Sequence, residues 1–207
     1  MAGIATPPSQ IVPPPLAPPT VAARTSTQPA PLEPAQTGVW LAIGTICMSF
    51  AALTSAMVVR QGAAPDWRHF QLPYLLYVNT LVLLASSATL EWSRRRMATG
   101  PVGAASGVYL TLALGLLFVT GQVIAWRQLA AQGLFLATAP SSSFFYVFTA
   151  LHGLHVLGGL AALAYVLRRL RRIAGPVPRA ALRAAAVYWH FMGVLWLYLL
   201  LILATRV

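Results

Sequence analysis

The chain has 207 residues, of which 58% are hydrophobic and 8% are charged, and its formal net charge is +11. Soluble globular domains carry about 25% charged residues, so this chain has too few charges to cover a surface that faces water. A soluble protein with a large core would also need amphipathic helices, whereas the long runs here are apolar all round. The composition therefore excludes an ordinary soluble domain and indicates an integral membrane protein.

The charged residues argue against nucleic-acid binding. All 14 basic residues are arginines, and most of them lie at the ends of apolar runs. That is where the positive-inside rule puts cytoplasmic charge in a membrane protein. The only cysteine, Cys47, lies inside the first apolar run. It cannot form an internal disulfide, and we expect it to be a small buried apolar residue.

Residues 1–37 are predicted to be a disordered, proline-rich tail, because 10 of the 16 prolines fall there. Proline removes backbone donors and fixes φ, which favours disordered or polyproline-like chain. The segment lacks the charged start, apolar core and cleavage site of a signal peptide. Residues 38–207 are predicted to be the membrane domain.

Five apolar runs of 20 to 26 residues follow the tail. About 20 residues of helix cross a bilayer core, and within lipid the backbone must satisfy its own hydrogen bonds. Prolines at 65, 73, 101, 140, 176 and 178 mark the breaks between runs. The sequence therefore predicts an all-α transmembrane protein, a five-helix bundle with helices at 39–59, 73–92, 106–126, 142–167 and 182–205.

The arginine count predicts a cytoplasmic N-terminus and a periplasmic C-terminus. With that orientation ten arginines are inside and four are outside. Aromatic residues near the helix ends fit a membrane-interface belt. They are Trp40, Trp92, Trp126 and Tyr109.

The arginines divide as follows in this orientation. The inside arginines would be Arg24, Arg94, Arg95, Arg96, Arg168, Arg169, Arg171, Arg172, Arg179 and Arg183, and the outside ones Arg60, Arg68, Arg127 and Arg206.

Histidines inside the helices are candidates for function. His152, His155 and Gly159 have spacings that put them on one helical face. His190 lies in the last run. Two histidines three apart could share a metal or haem with a third ligand, or the imidazoles could hydrogen-bond across helices and fix packing. The second interpretation is favoured, because no cluster of Asp, Glu or Cys completes a ligand set.

Transport by this chain alone is disfavoured, because no carboxylate lies in the middle of an apolar run. Of the three acidic residues, Glu33 is in the tail and Asp66 is in a loop. Glu91 is at a helix end beside three arginines, where an ion pair explains it. Glycines and alanines in the third and fourth runs instead predict tight helix packing, as in a structural or assembly subunit.

Two motifs resemble subunit III of the haem-copper oxidases. Leu151-His152-Gly153-Leu154-His155-Val156, followed by Gly158-Gly159, resembles the family's His-Gly-x-His-Val segment. Tyr188-Trp189-His190-Phe191, followed by Trp196, resembles its Tyr-Trp-His-Phe segment. The resemblance covers about residues 38–206. It identifies His152, Gly153, His155, Gly159, Tyr188, Trp189, His190 and Trp196 as family-motif residues with expected structural and lipid-facing roles, not catalytic, cofactor-binding or metal-binding ones.

The resemblance implies a five-helix form of a family that usually has seven helices. Either another subunit supplies the missing pair or the family's lipid-filled cleft is open. Many members carry a buried Ser-Glu pair where this chain has Thr45-Ile46, and an x-Asp pair where it has Met192-Gly193. Both departures put a proton role of this chain in doubt.

The resemblance further implies an accessory subunit of a bacterial cytochrome c oxidase, multi-pass in the cytoplasmic (inner) membrane. Its partners would be oxidase subunits I and II and membrane lipids, with a bound phospholipid possible. Haem and copper are expected in the partner subunits and no cofactor in this chain, since four histidines and one cysteine are too few for the redox centres. The alternatives are a quinol oxidase subunit III, a subunit III-like protein of nitric oxide reduction, and a stand-alone transporter.

Overall fold

The computed structural model describes residues 34–63, 65–96, 101–171 and 179–207. These residues form five α-helices and no strand, and all five helices are long and apolar enough to cross a bilayer. The prediction of an all-α, five-helix transmembrane chain is therefore confirmed. The helices are α1 (Pro34–Ala63), α2 (Leu75–Arg96), α3 (Pro101–Ala131), α4 (Pro140–Arg171) and α5 (Arg179–Arg206).

Each helix extends past its apolar run at one end or both. Pro101 and Pro140, predicted as breaks, are the first residues of α3 and α4. Proline is tolerated there because the first N–H groups of a helix have no partner within it. The α2 helix continues through its terminal arginines, where Glu91 accepts from Arg94 and Arg95 one turn on, at 2.8 and 3.1 Å.

The boundary of the predicted tail is also different. The α1 helix begins at Pro34, so residues 34–37 are helical rather than disordered. A proline in the first helical turn costs no hydrogen bond, which is why the proline signal misplaced this boundary. The rest of the predicted tail lies outside the described residues, and so do Arg172, Pro176 and Pro178.

Four of the helices form a ring. The α2 helix packs on α3, α3 on α4, α4 on α5, and α5 back on α2. The α1 helix lies outside this ring against α4 and α5. A ring of four neighbours creates an interior that side chains from all four helices can share, and the candidate site occupies it.

The α2–α3 pair is held by small and polar residues. The hydroxyl of Ser93 donates to the carbonyl of Ala104 at 2.6 Å, and the hydroxyls of Thr89 and Thr111 are 2.9 Å apart. A methyl group at Gly107 would lie 2.5 Å from Cβ of Ser93, so the two backbones approach as closely as glycine permits. This is the packing that small residues provide between membrane helices.

The loop between α1 and α2 donates hydrogen bonds to the C-terminal end of α5. The indole N–H of Trp67 donates to the carbonyl of Arg206 at 2.7 Å, and the backbone N–H of Phe70 donates to the carbonyl of Val207 at 2.8 Å. The first bond satisfies a carbonyl that the last turn of α5 leaves unpaired, and the second holds the residue that follows the helix.

The outer surface carries the apolar residues that lipid would contact. Cys47, predicted to be buried, is exposed on α1, because this helix meets the ring along only one side. Trp40, Trp92 and Tyr109 are also exposed, as an aromatic belt requires. The orientation of the chain across the membrane stays a prediction.

Candidate functional site: two tryptophans in the helix ring

Trp189 on α5 fills the interior of the ring and touches the other three helices. Its indole N–H donates to the hydroxyl of Ser86 on α2 at 3.0 Å. A methyl group at Gly115 on α3 would lie 2.8 Å from Cη2 of the indole, and one at Gly159 on α4 would lie 3.0 Å from Cε3. Glycine on two facing helices therefore makes room for the largest side chain.

Trp196 repeats this arrangement at a second level. Its indole N–H donates to the hydroxyl of Thr80 on α2 at 3.0 Å. Its ring lies 5.1 Å from that of Phe118 on α3, edge to face, and 5.0 Å from the imidazole of His152 on α4. Both geometries are favourable for aromatic pairs.

The two tryptophans form a two-layer core, which we define as Trp189 and Trp196 with their ring neighbours. They are seven residues apart, or about two helical turns, so both point into the ring from one face of α5. Each side chain is 1% exposed. Each donates a hydrogen bond to α2, which is the first helix of the ring in the chain, whereas α5 is the last. The core therefore joins all four helices of the ring at two heights.

His152 belongs to this core. The side chain is fully buried, and its Nε2 lies 3.1 Å from the carbonyl oxygen of Met192 on α5. A carbonyl oxygen only accepts, so Nε2 carries a proton and donates it. The imidazole also meets Phe118 edge to face, with ring centroids 5.9 Å apart. His152 thus links α4 to both α3 and α5.

His155 lies on the flank of α4 that faces α1. Its Nδ1 is 2.7 Å from the carbonyl oxygen of Leu151 in its own helix, and its ring is 6.0 Å from that of Phe50 on α1. The His155 carbonyl accepts from the hydroxyl of Tyr188 on α5 at 3.0 Å. The ring contact with Phe50 joins α4 to α1, and the Tyr188 bond joins α4 to α5 beside the two-layer core.

Two motif residues stand apart from these contacts. A methyl group at Gly153 would meet nothing within 4 Å, so no neighbour in this chain requires glycine there. His190 is half-buried on α5, and none of the hydrogen bonds among the described residues uses its side chain.

The two histidines of α4 are not arranged to share a metal ion. His152 is directed at α3 and α5, whereas His155 is directed at α1. The described residues also hold no group of three or more His, Cys, Asp or Glu side chains that could bind a metal. The three residues predicted to share one helical face therefore differ in direction. His152 and Gly159 face the interior of the ring, whereas His155 lies at the edge of that face, towards α1.

Ile46 and Gly193, where the resemblance leads us to expect carboxylates in other members, are both buried. Ile46 is 5% exposed and belongs to the hydrophobic core on the side of α1 that meets the ring. Gly193 is buried, and a methyl group there would lie 3.5 Å from the hydroxyl of Ser87, an ordinary contact.

Sequence reasoning missed most of the partners of the two tryptophans. Ser86 and Thr80 gave no signal, because hydroxyl residues in membrane helices usually bond to their own backbone, as both also do here. Phe118 was one apolar residue among many in α3. Two other buried residues of the ring, Gln122 and Asn79, could have been found, since amides inside apolar runs are rare and costly.

The chain matches the family model of cytochrome c oxidase subunit III over residues 46–205. The probable cytochrome c oxidase subunit 3 of Nocardia farcinica is 33% identical over 167 residues, which are 77% of this chain and 80% of that protein. The corresponding protein of Mycobacterium leprae is 33% identical over 79% of this chain and 82% of its own length. The cytochrome bo(3) ubiquinol oxidase subunit 3 of Pseudomonas putida is 28% identical over 77% of this chain and 80% of that protein. The chain is a multi-pass membrane protein that belongs to the cytochrome c oxidase subunit III family.

Proposed function

We propose that this chain is the accessory, non-redox subunit III of a bacterial cytochrome c oxidase in the cytoplasmic membrane. The complex would oxidise cytochrome c, reduce oxygen to water and pump protons, with haem and copper in subunits I and II. The single observation that carries the accessory role is the use of the motif side chains. Those of His152, Trp189 and Trp196 are buried in hydrogen bonds and ring contacts between helices.

A catalytic or proton-transfer role would need groups that can reach a substrate or exchange a proton with water. The indole N–H groups of Trp189 and Trp196 are bound to hydroxyls, and the Tyr188 hydroxyl donates to a backbone carbonyl. Ile46 is buried at the position where the family resemblance leads us to expect a carboxylate, so this chain offers an apolar side chain there. Each of these features supports a scaffold that braces the catalytic subunit.

Lipid organisation is the second part of the proposed role. An apolar groove of about 440 Å³ runs between α1, α4 and α5, and small side chains line most of it. Its lining includes Val39, Gly158, Ala162 and Ala185, with Tyr188 at its edge. A groove of this shape suits the acyl chain of a phospholipid, since apolar walls without unpaired polar groups match a hydrocarbon chain.

The electron donor has a second candidate. The relative from Pseudomonas putida is named as a ubiquinol oxidase subunit, and it covers as much of this chain as the relative from Nocardia farcinica. A quinol oxidase would have the same subunit III fold beside a different subunit II. Oxidation of reduced cytochrome c, compared with oxidation of quinol, by the purified complex distinguishes the two donors.

Copurification in mild detergent with visible spectroscopy tests the proposed function. The chain, tagged at its N-terminus, is isolated from its native membrane, and an unrelated tagged membrane protein is isolated in parallel as the control. We expect larger subunits and a haem absorption spectrum with this chain alone. A chain that is stable by itself and never copurifies with haem would refute the oxidase assignment.

A further inference from the structure

Two polar side chains inside the ring have hydrogen-bonding capacity that no described residue uses. Gln122 on α3 is 4% exposed, and neither Nε2 nor Oε1 of its amide meets a partner among the described residues. His152 on α4 is fully buried, and its Nδ1 is without a partner in the same part of the chain. Buried polar atoms are nearly always hydrogen-bonded, and lipid around the bundle offers no alternative.

Two contacts between α3 and α4 put Gln122 within about one helical turn of the level of His152. On α3, Phe118 is one turn before Gln122 and Trp126 is one turn after it. The Phe118 ring contacts His152, and the indole N–H of Trp126 donates to the hydroxyl of Thr149 at 3.0 Å. Gln122 therefore lies opposite the single turn of α4 that runs from Thr149 to His152. It shares the buried side of α3 with Phe118.

The unpaired atoms of these two residues are complementary to one small ligand. Because Nε2 of His152 donates to Met192, Nδ1 of the neutral ring is an acceptor. The Gln122 amide offers one acceptor atom, Oε1, and one donor atom, Nε2, which carries two N–H groups. A direct bond from Gln122 to His152 would leave Oε1 unpaired. Water can donate to Nδ1 and Oε1 and accept from Nε2, which satisfies all three atoms with the two to four bonds that buried water usually makes.

We propose that a water molecule is bound inside the ring between Gln122 of α3 and His152 of α4. We expect this water to be a structural ligand that exchanges slowly with the surface, because Gln122 is 4% exposed and His152 is fully buried. Trp196, whose ring lies 5.0 Å from the His152 ring, forms one wall of this site. Trp189, two turns away, lies beside Gly115, Gly159 and the Ser86 hydroxyl, and its hydrogen bond and ring contacts among the described residues involve neither Gln122 nor His152.

Hydroxyl-radical labelling by a short X-ray pulse tests the proposal, because radicals form from bound water and oxidise the rings beside it. The two tryptophans are a matched pair, since each is 1% exposed and each donates its N–H to a hydroxyl of α2. We expect several-fold more oxidation of Trp196 than of Trp189 in the full-length chain. Gln122→Leu should reduce the oxidation of Trp196 to the level of Trp189.

Equal oxidation of the two tryptophans in the unmodified chain would overturn the proposal, and so would excess oxidation of Trp196 that persists in Gln122→Leu. If Gln122→Leu does not accumulate, the comparison of the two tryptophans in the unmodified chain still decides whether water is present. The measurement needs only the folded chain in its isolated membrane assembly. Its outcome is independent of oxidase activity and of which donor the complex uses.

Discussion

The indole N–H of Trp189 on α5 donates to the hydroxyl of Ser86 on α2, with 3.0 Å between nitrogen and oxygen, across the interior of a four-helix ring. The two residues are 103 positions apart in the chain. Trp196 and Thr80 repeat the same bond two turns away. Through these two bonds the tryptophans join α5 to α2 and close the ring.

Removing the Trp189 side chain should destabilise the chain strongly. Trp189→Ala leaves a large cavity between four helices, and such substitutions cost about 3–5 kcal/mol in protein cores. Trp40 is the matched control, because it is 57% exposed on α1 and its removal leaves no cavity. The thermal unfolding midpoint in detergent should fall markedly for Trp189→Ala and hardly at all for Trp40→Ala. Similar midpoints for the two variants would contradict the two-layer core.

Two glycines should respond in opposite ways to an added methyl group. At Gly115 the methyl would lie 2.6 Å from Cδ2 of Leu160 and 2.8 Å from the Trp189 ring, so Gly115→Ala should destabilise by about 1–3 kcal/mol. At Gly153 it would meet nothing within 4 Å, so Gly153→Ala should be neutral or stabilise by about 0.5–1 kcal/mol. Thermal unfolding of both variants checks this. If Gly153→Ala is the more damaging of the two within the isolated chain, the packing described here is wrong.

The Arg60–Asp66 pair should add a small stability that disappears in acid. The Arg60 guanidinium donates to both carboxylate oxygens, at 2.9 and 2.6 Å, and lowers the pKa of Asp66 below its ordinary value. A lowered folded-state pKa stabilises the fold above the pKa of the unfolded chain, and this contribution is lost as pH falls through the folded-state pKa.

Asp66→Asn should therefore lower the unfolding midpoint slightly near neutral pH and leave it unchanged in acid. Because the pair is exposed, added salt should shrink the difference. Unfolding scans over pH for both proteins measure it. A difference that grows towards acid pH would have the wrong sign for this pair.

The orientation predicted from the arginines can be tested with introduced cysteines. In a Cys47→Ser background, Gln132→Cys places a thiol in the exposed connection after α3, and Thr37→Cys places one at the exposed start of α1. A reagent that cannot cross the membrane should label position 132 in intact spheroplasts and position 37 only after lysis. The reverse pattern would show that the arginine count gives the wrong orientation.

The number and type of helices followed from the apolar runs, because a bilayer demands about 20 apolar residues for each crossing. The exact ends of the helices did not follow from these runs, because the ends lie outside the bilayer core, where the residues no longer need to be apolar. Glu91 and its arginines continue α2 by pairing along the helix, and Pro101 starts a helix although proline usually marks a break. Ion pairs extend α2, and the first turn of a helix tolerates Pro101, and neither effect is visible in the apolar runs.

The candidate site was predictable only in part. The motif indicated Trp189, Trp196 and His152, and the structure brings these three into one interior. Their partners Ser86 and Thr80 come from α2, and no local pattern connects residues so far apart. Cys47 was wrongly predicted to be buried, since an apolar run does not reveal which side of α1 meets the ring and which side faces outwards.

His155→Leu is the most direct test of the structural role. Of the two motif histidines on α4, His155 is the less buried, so it is the better placed for proton or metal chemistry. Its observed contacts, with the Leu151 carbonyl and the Phe50 ring, are only structural.

The measurement is oxygen consumption per haem, together with the amount of this chain recovered, in complex purified through the catalytic subunit. We expect less recovered chain and unchanged turnover per intact complex for His155→Leu. Full recovery of the chain with abolished turnover would contradict the structural role.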